Sequence, residues 1–397
     1  MKKNKILKRV RNIQVSLIKQ MPVRAHELVL SKKFAQEDIV SLGQGIPSMP
    51  TPAYIREAVI ERLKNDNKIC KYSLQPGVPE LRNKIAEILS KKTKRKVSGE
   101  KEVFISTGAM EALADGISTL IEEGDEVIVP NPNYQPHLEQ ITFAGGKPVF
   151  VPLNPEKNWE MDLEKLEKSI NKKTKAIIVC NPANPTGALM SDRELDKIVE
   201  LAIKNDLFIF ADETYSYLVF DRKFKSLLEY SEIQDRLIYT YSFSKEFAMT
   251  GWRVGYMYAP DWIIEECLKV HDAFVICAPT ISQFAALAAL SSPEKNLDMR
   301  DIFRKRRDLM CDYLDELGDL FSYVRPDGAY YILVKYKKTN LNSLEFALKL
   351  LEDTGVITIP GSGFGSGGEG YIRLSFCGKE SEIDEAFRRI KKWNMDL

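Results

Sequence analysis

Between residues 100 and 275 the chain repeats one pattern: a short run rich in β-branched and aromatic residues, then a stretch whose apolar side chains recur at helical spacing. The runs are Val103 to Ser106, Glu126 to Pro130, Pro148 to Leu153, Ala176 to Cys180, Leu207 to Ala211, Leu237 to Tyr241 and Val254 to Ala259. Strands that are apolar along their whole length, alternating with helices, fit a mainly parallel sheet, because crossovers cover both of its faces. The helical stretches carry signals of their own. Ser191 and Glu194 have capping-box spacing ahead of the stripe Leu195, Ile198, Val199 and Ala202, and Met110, Leu113, Ala114 and Ile117 form a second stripe. The expected fold is α/β, a mainly parallel seven-stranded sheet sandwiched by helices.

A chain of 397 residues exceeds the roughly 250–300 residues at which single cores stop growing, so two domains are expected. After about residue 290 the pattern shifts to longer charged helices with few strands, at Ala329 to Val334, Val356 to Ile359 and Tyr371 to Phe376. The segment ahead of Leu42 is too short for a core of its own. The reading is a large domain over residues 49–290 and a smaller α+β domain made of both chain ends, 1–48 and 291–397.

With 57 basic and 56 acidic residues the net charge is +1, which supplies no global field for nucleic acid or a membrane surface. No stretch approaches the roughly 18 apolar residues of a membrane-spanning helix. Six scattered cysteines without a CxxC pair and three isolated histidines, His26, His137 and His271, argue against a zinc site and a disulfide framework. A cytoplasmic setting is expected. The first 25 residues hold eight basic side chains and no acid, but a single serine, so they read as a basic amphipathic helix or arm and not as a transit peptide. Lys91 to Lys96 reads as a solvated helix end. Gly363-Phe364-Gly365-Ser366-Gly367-Gly368 has GxGxxG spacing, yet Tyr371 to Phe376 beyond it is strand-like, whereas a dinucleotide site needs a helix there. A loop is the expected outcome.

Lys245 stands in Ser242-Phe243-Ser244-Lys245, directly after the run ending at Tyr241, and Arg253 follows eight residues on. A primary amine at a strand end, flanked by hydroxyls and trailed by an arginine, suits a site that holds an aldehyde cofactor covalently and grips its phosphate. Lysine becomes a nucleophile toward carbonyls once burial or cationic neighbours lower its pKa, and pyridoxal phosphate is the main cofactor that uses this. Such chemistry keeps a proton on the pyridine nitrogen, because the cationic ring takes up the electrons freed at the substrate α-carbon. Asp212 closes the run Leu207 to Ala211, which puts a carboxylate at the rim of a parallel sheet; alone, it reads more readily as a helix cap or loop residue. Tyr215, three positions on, can reach the ring hydroxyl.

Asn181-Pro182-Ala183-Asn184-Pro185-Thr186-Gly187 is a rigid, non-helical turn at another strand end, or simply a tight loop; its weight comes from lying one β-unit before Asp212 and two before Lys245. Ser106 to Glu111 joins a strand to a helix, so the amides of Gly108, Ala109 and Met110 would form an anion site at that helix N-terminus, with Ser242, Ser244 and Arg253 adding side-chain donors. Tyr134, after the next strand, could stack on the ring or be a plain core or surface tyrosine.

In this order these residues resemble the class I and II aminotransferases, the aspartate aminotransferase-like enzymes of pyridoxal phosphate fold type I, from Leu42-Gly43-Gln44-Gly45-Ile46-Pro47 to Gly370-Tyr371-Ile372-Arg373-Leu374-Ser375-Phe376. The family's Ser-x-Ser-Lys followed by Gly-x-Arg-x-Gly reads here as Ser242 to Lys245 with Gly251 to Gly255. The resemblance implies that Lys245 forms the Schiff base, Asn184 and Tyr215 bond the ring hydroxyl, Asp212 the ring nitrogen, and Arg373 the substrate carboxylate beside Gly45. It also implies that Tyr72 reaches the phosphate of a neighbouring subunit, hence a homodimer with shared active sites, and that Arg325 to Tyr330 lies near the carboxylate site in a small domain that closes over substrate. Cys277 to Gln283 holds no arginine, so strict dicarboxylate specificity by a second arginine there is not expected. A broad, aromatic or aspartate-like preference is, with Ile46 and Tyr134 near the side-chain pocket.

The implied activity is ping-pong transfer of an amino group from an L-amino acid to a 2-oxo acid, commonly 2-oxoglutarate. Two rivals remain: a C–S β-lyase on the same scaffold, and a catalytically silent regulator that keeps the fold.

Overall fold

The computed structural model describes residues 6–13, 15–292 and 299–394. Nine strands precede residue 260: β1 (Val40–Ser41), β2 (Val103–Ser106), β3 (Glu126–Asn131), β4 (Lys147–Asn154), β5 (Glu160–Met161), β6 (Thr174–Cys180), β7 (Phe208–Asp212), β8 (Leu237–Ser242) and β9 (Gly255–Tyr258). All but β1 form one sheet in the order β2-β9-β8-β7-β6-β3-β4-β5. The seven runs anticipated from the sequence are its main strands; the two-residue β5 adds a short antiparallel eighth at the edge.

Alternate residues of each central strand enter different cores, which explains the unbroken apolar runs. Ile177, Val179, Ile209 and Ala211 face a cluster with Leu81, Ile85, Leu195 and Ile198 from helices on one side. Ala176, Ile178 and Phe210 face Leu113, Ile117, Ile141 and Ile263 from helices on the other. With both faces buried, neither register of side chains can be polar.

Strands β3, β4, β6, β7 and β8 run parallel, whereas β9 is antiparallel to both β8 and β2. The C-terminal ends of β2, β6, β7 and β8 therefore share one rim. Because β9 runs the other way, its first residue lies at that same rim, with Gly255 opposite both Ser106 and Ser242. A side chain at Gly255 would meet the Tyr241 carbonyl at 2.5 Å and the Ala109 amide nitrogen at 2.8 Å, so only glycine lets these three segments converge.

The remaining strands are β10 (Phe321–Tyr323), β11 (Tyr331–Tyr336), β12 (Val356–Ile357), β13 (Ile359–Pro360) and β14 (Tyr371–Ser375). Four of them make an antiparallel sheet ordered β10-β11-β14-β13, while β12 pairs in parallel with β1. A third apolar cluster joins Met21, Leu28, Val40 and Leu42 to Phe303, Ile332, Leu350, Leu374 and Phe387, and takes in Tyr215 and Leu218 from beyond β7. The glycine run forms two short 3-10 turns, Gly361–Phe364 and Ser366–Gly368, and leads into β14 without a helix. The basic N-terminal stretch contains helices Lys8–Arg11 and Leu17–Leu30; its first five residues lie outside the described ones. Among the described residues no helix is long and apolar enough to cross a membrane.

Candidate active site

Lys245 lies on the one-turn helix Phe243–Glu246 that follows β8 directly, which holds its stem at the rim. Its Nζ donates to the Gly45 carbonyl at 2.7 Å. Burial pulls the amine down to about 8; Cys377 and, more weakly, Asp212 oppose it, while the nearby guanidiniums of Arg373 and Arg253 add to it. Far more of it is thus unprotonated near neutral pH than of an ordinary lysine, and that is the form able to attack a carbonyl.

Asp212 ends β7 and is 7% exposed. Its Oδ1 accepts from the Thr214 hydroxyl at 2.6 Å and amide at 3.2 Å, and its Oδ2 lies 3.2 Å from His137 Nε2. Burial opposes ionisation here, but the hydrogen bonds from His137 and Thr214 outweigh it and hold the carboxyl below its ordinary value. A buried carboxylate kept charged is what a cationic ring nitrogen requires as partner.

Arg373 projects from the middle of β14 and is 2% exposed. Its Nη1 donates to Asn184 Oδ1 at 2.9 Å and its Nη2 to the Gly43 carbonyl at 2.5 Å, while Nε has no hydrogen-bond partner among the described residues. The guanidinium lies 4.3 Å from the Tyr331 ring centroid and 4.9 Å from that of Phe364. None of the ion pairs among the described residues involves it. A buried guanidinium held by neutral acceptors keeps its charge for a carboxylate from outside.

At the other end of the rim, the helix Ala109–Leu120 begins after Gly108, whose φ of 89° is open chiefly to glycine. A side chain on Gly108 would sit 3.0 Å from Arg253 Nη2. Arg253 reaches the Thr107 carbonyl at 3.1 Å and Ser244 Oγ at 3.5 Å, so the amides after Gly108, the arginine and Ser244 share one corner. Ser242, 5% exposed, accepts from the Ser244 amide and orders the turn.

Tyr215 is buried, and its hydroxyl meets that of Tyr331 at 2.9 Å; burial and the neighbouring tyrosines raise it well above the usual phenol range. Tyr134 precedes the helix Gln135–Ala144, turns its ring edgewise to His137 at 5.4 Å between centroids, and is also raised by burial. Gly45 has no room for a side chain: a Cβ would lie 1.9 Å from the Tyr331 hydroxyl. Tyr72 lies apart from the rest, 79% exposed in the turn after Cys70. Ile46 is 52% exposed.

A sequence model of the family described as aminotransferase class I and II matches residues 37–390. The chain belongs to that family. It is 37% identical over 360 residues to an aspartate aminotransferase of Pyrococcus abyssi, covering 90% of this chain and 92% of the relative. An aromatic-amino-acid aminotransferase of Thermococcus litoralis is 36% identical over the same shares of the two chains. Among solved structures, an aspartate aminotransferase from Thermotoga maritima superposes with a TM-score of 0.90 at 32% identity, over 98% of this chain and all of the other. The protein is therefore an aminotransferase, an enzyme with the aspartate aminotransferase fold.

Several groups at the site carry no signal in the sequence. His137 and His271 stand without local partners in the sequence, yet each meets a carboxylate, Asp212 across 75 residues and Glu111 across 160. Tyr330 and Tyr331 wall the site; the stretch Arg325 to Tyr330 pointed near them without assigning a contact. Cys377, whose thiol lies 2.9 Å from the Gln44 carbonyl, carries no motif.

Proposed function

We propose that this aminotransferase works with pyridoxal 5′-phosphate and moves the amino group of an L-amino acid to a 2-oxo acid, 2-oxoglutarate among them. The observation that carries the reading is the shared position of Lys245, with its lowered pKa, and Arg373, a buried guanidinium without a carboxylate partner among the described residues. Every donor and acceptor a phosphorylated pyridine aldehyde calls for has a counterpart at the rim. Lys245 would hold the aldehyde carbon, Asp212 the ring nitrogen, Asn184 and Tyr215 the ring hydroxyl, and Tyr134 would border the ring. The amides of Gly108, Ala109 and Met110, with Ser242, Ser244 and Arg253, would hold the phosphate. Gly108 supports the fit, since any larger residue there would press on Arg253.

When bound, the cofactor supplies a cationic ring that takes up the electrons freed at the substrate α-carbon. Arg373 binds the substrate carboxylate, and Asn184, already bonded to it, couples that grip to the ring hydroxyl. Lys245 Nζ would take the proton from the substrate α-carbon and hold it within the site, acting as general base and then general acid. Asp212 keeps its charge through His137 and Thr214. The Tyr330 ring centroid lies 6.0 Å from the Lys245 amine, and the Tyr330 hydroxyl shares the Gly45 carbonyl with Lys245, at 3.0 Å.

A homodimer with shared sites belongs to the same proposal, supported by the exposure of Tyr72, Leu74, Phe274 and Ile276 beside one another in the chain or in linked segments. So does the division into residues 49–290 and 1–48 with 291–397, supported by the separate apolar cluster under the small sheet. A cytoplasmic setting is supported by six cysteines, none of them paired. The substrate range is broad, aromatic or aspartate-like, in keeping with the names of the relatives. The test is a half-reaction panel: amino acids are added to the holoprotein and the loss of the cofactor's visible absorbance is followed, then 2-oxo acids are added to restore it. Release of pyruvate from thioether amino acids without an oxo acid would establish the β-lyase instead. No conversion by any amino acid would overturn the reading.

A further inference from the structure

Thr107 is clamped at both ends of its backbone. Its carbonyl accepts from Arg253 Nη2 at 3.1 Å, while its amide and its hydroxyl both donate to Glu111 Oε2, the hydroxyl at 2.5 Å. The other Glu111 oxygen lies 2.7 Å from His271 Nδ1. His271 comes from the last turn of the helix Asp261–Phe274, is fully buried, and packs on Phe104 with ring centroids 5.3 Å apart. One turn after Glu111, Asp115 points its Oδ2 to within 3.8 Å of the same imidazole nitrogen, 2% exposed and with no hydrogen-bond partner for that oxygen among the described residues.

Glu111 is the third residue of its helix, where a carboxylate commonly caps amides that precede the first turn. A cap alone calls for neither a buried histidine nor a second buried acid. Two carboxyls cannot both ionise cheaply in so dry a place, and burial together with Glu111 pushes Asp115 up to about 8. Burial opposes ionisation of Glu111 as well, but its bonds from His271 and Thr107 prevail and leave it below its ordinary value. Glu111 is the member that stays charged at neutral pH, with both oxygens engaged.

We propose that Glu111, oriented by His271, is a positioning residue for the cofactor's phosphate: it draws the Thr107 amide and hydroxyl inward and so fixes the peptide on which Arg253 docks and from which the Gly108, Ala109 and Met110 amides take their aim. The proposal rests on the assignment of that corner to a phosphate. It predicts a defect specific to that group, because among the described residues no hydrogen bond or ion pair joins the His271–Glu111–Thr107 chain to the residues placed around the ring.

The experiment compares the apoprotein's dissociation constants for pyridoxal 5′-phosphate and for phosphate-free pyridoxal, alongside the thermal unfolding midpoint of each apoprotein. Glu111→Gln should weaken the phosphorylated ligand by about tenfold, the scale of one charge-assisted hydrogen bond, and leave pyridoxal nearly unchanged. His271→Gln should do the same to a lesser degree. Equal weakening of both ligands together with a lowered midpoint would reduce Glu111 to a helix cap and overturn the proposal, as would unchanged binding of both. Arg253→Gln separates the two levels of inference. If that variant keeps the full preference for the phosphorylated ligand, the phosphate corner itself is wrongly placed; if it loses the preference while Glu111→Gln retains it, only the positioning role fails.

Discussion

The rim of the large sheet and the wall formed by the small sheet meet over Lys245, but they are built in opposite ways. On the rim, Gly108, Asn184, Asp212, Ser242 and Lys245 each lie within a few residues of a strand end, in chain order, so one strand pattern delivers them together. On the wall, Arg373 bonds to the Gly43 carbonyl 330 residues away, and Tyr330 and Lys245 converge on Gly45 from 285 and 200 residues away. The rim is local chemistry repeated. The wall is long-range packing, and Arg373 and Tyr330 both reach backbone carbonyls of one short loop.

This division predicts that rim variants damage the chemical step and wall variants damage substrate capture. The largest effect belongs to Lys245→Ala, which removes the proposed covalent anchor and proton carrier together; kcat should fall by at least about 10⁴-fold, measured in single turnovers with added cofactor. Asp212→Asn keeps the shape and removes the charge, so kcat should fall by about 10³-fold, the scale of a lost buried electrostatic partner, with little change in substrate KM. If KM rose in step, the rim would be shaping the substrate pocket as well, and the comparison would break.

Arg373→Gln should instead lower kcat/KM by about 10²-fold, chiefly through KM, and for amino and oxo acids alike because both carry the carboxylate. Tyr331→Phe removes the hydroxyl that meets Tyr215 and keeps the ring under Arg373, so the loss in kcat/KM should stay within about tenfold. A pH test sharpens the same contrast. In the cofactor-free protein, acylation of Lys245 followed by peptide mapping should show a midpoint near 8 in place of the ordinary 10.5. The sign follows from burial, which disfavours the charged amine: the folded state binds this proton less tightly than the unfolded chain. Lys245 therefore costs stability in full below about pH 8, and the cost fades as pH rises toward 10.5.

Much of the rim was legible in the amino-acid sequence. The seven strands appeared as apolar runs because both faces of each are buried, and the residues at their ends could be named by position. The capping box at Ser191 and Glu194 formed as its spacing indicated. The eighth strand escaped notice because two residues, Glu160 and Met161, carry no periodicity. β10 was lost for the same reason, three residues following a charged helix. His137 is the third residue of the helix Gln135–Ala144, facing the rim, but a single histidine among mixed residues announces nothing until its partner is brought up at the end of β7.

The amino-acid sequence by itself determined the order of the βα turns and the identity of the groups they present, since strand ends, helix starts and glycine turns are set by residues close to one another. Only the tertiary structure decided which of those groups are dry, charged and in contact. The pKa of Lys245, the unshared charge of Arg373 and the His271–Glu111–Thr107 chain all depend on desolvation and on partners tens to hundreds of residues distant, and no local pattern encodes either quantity.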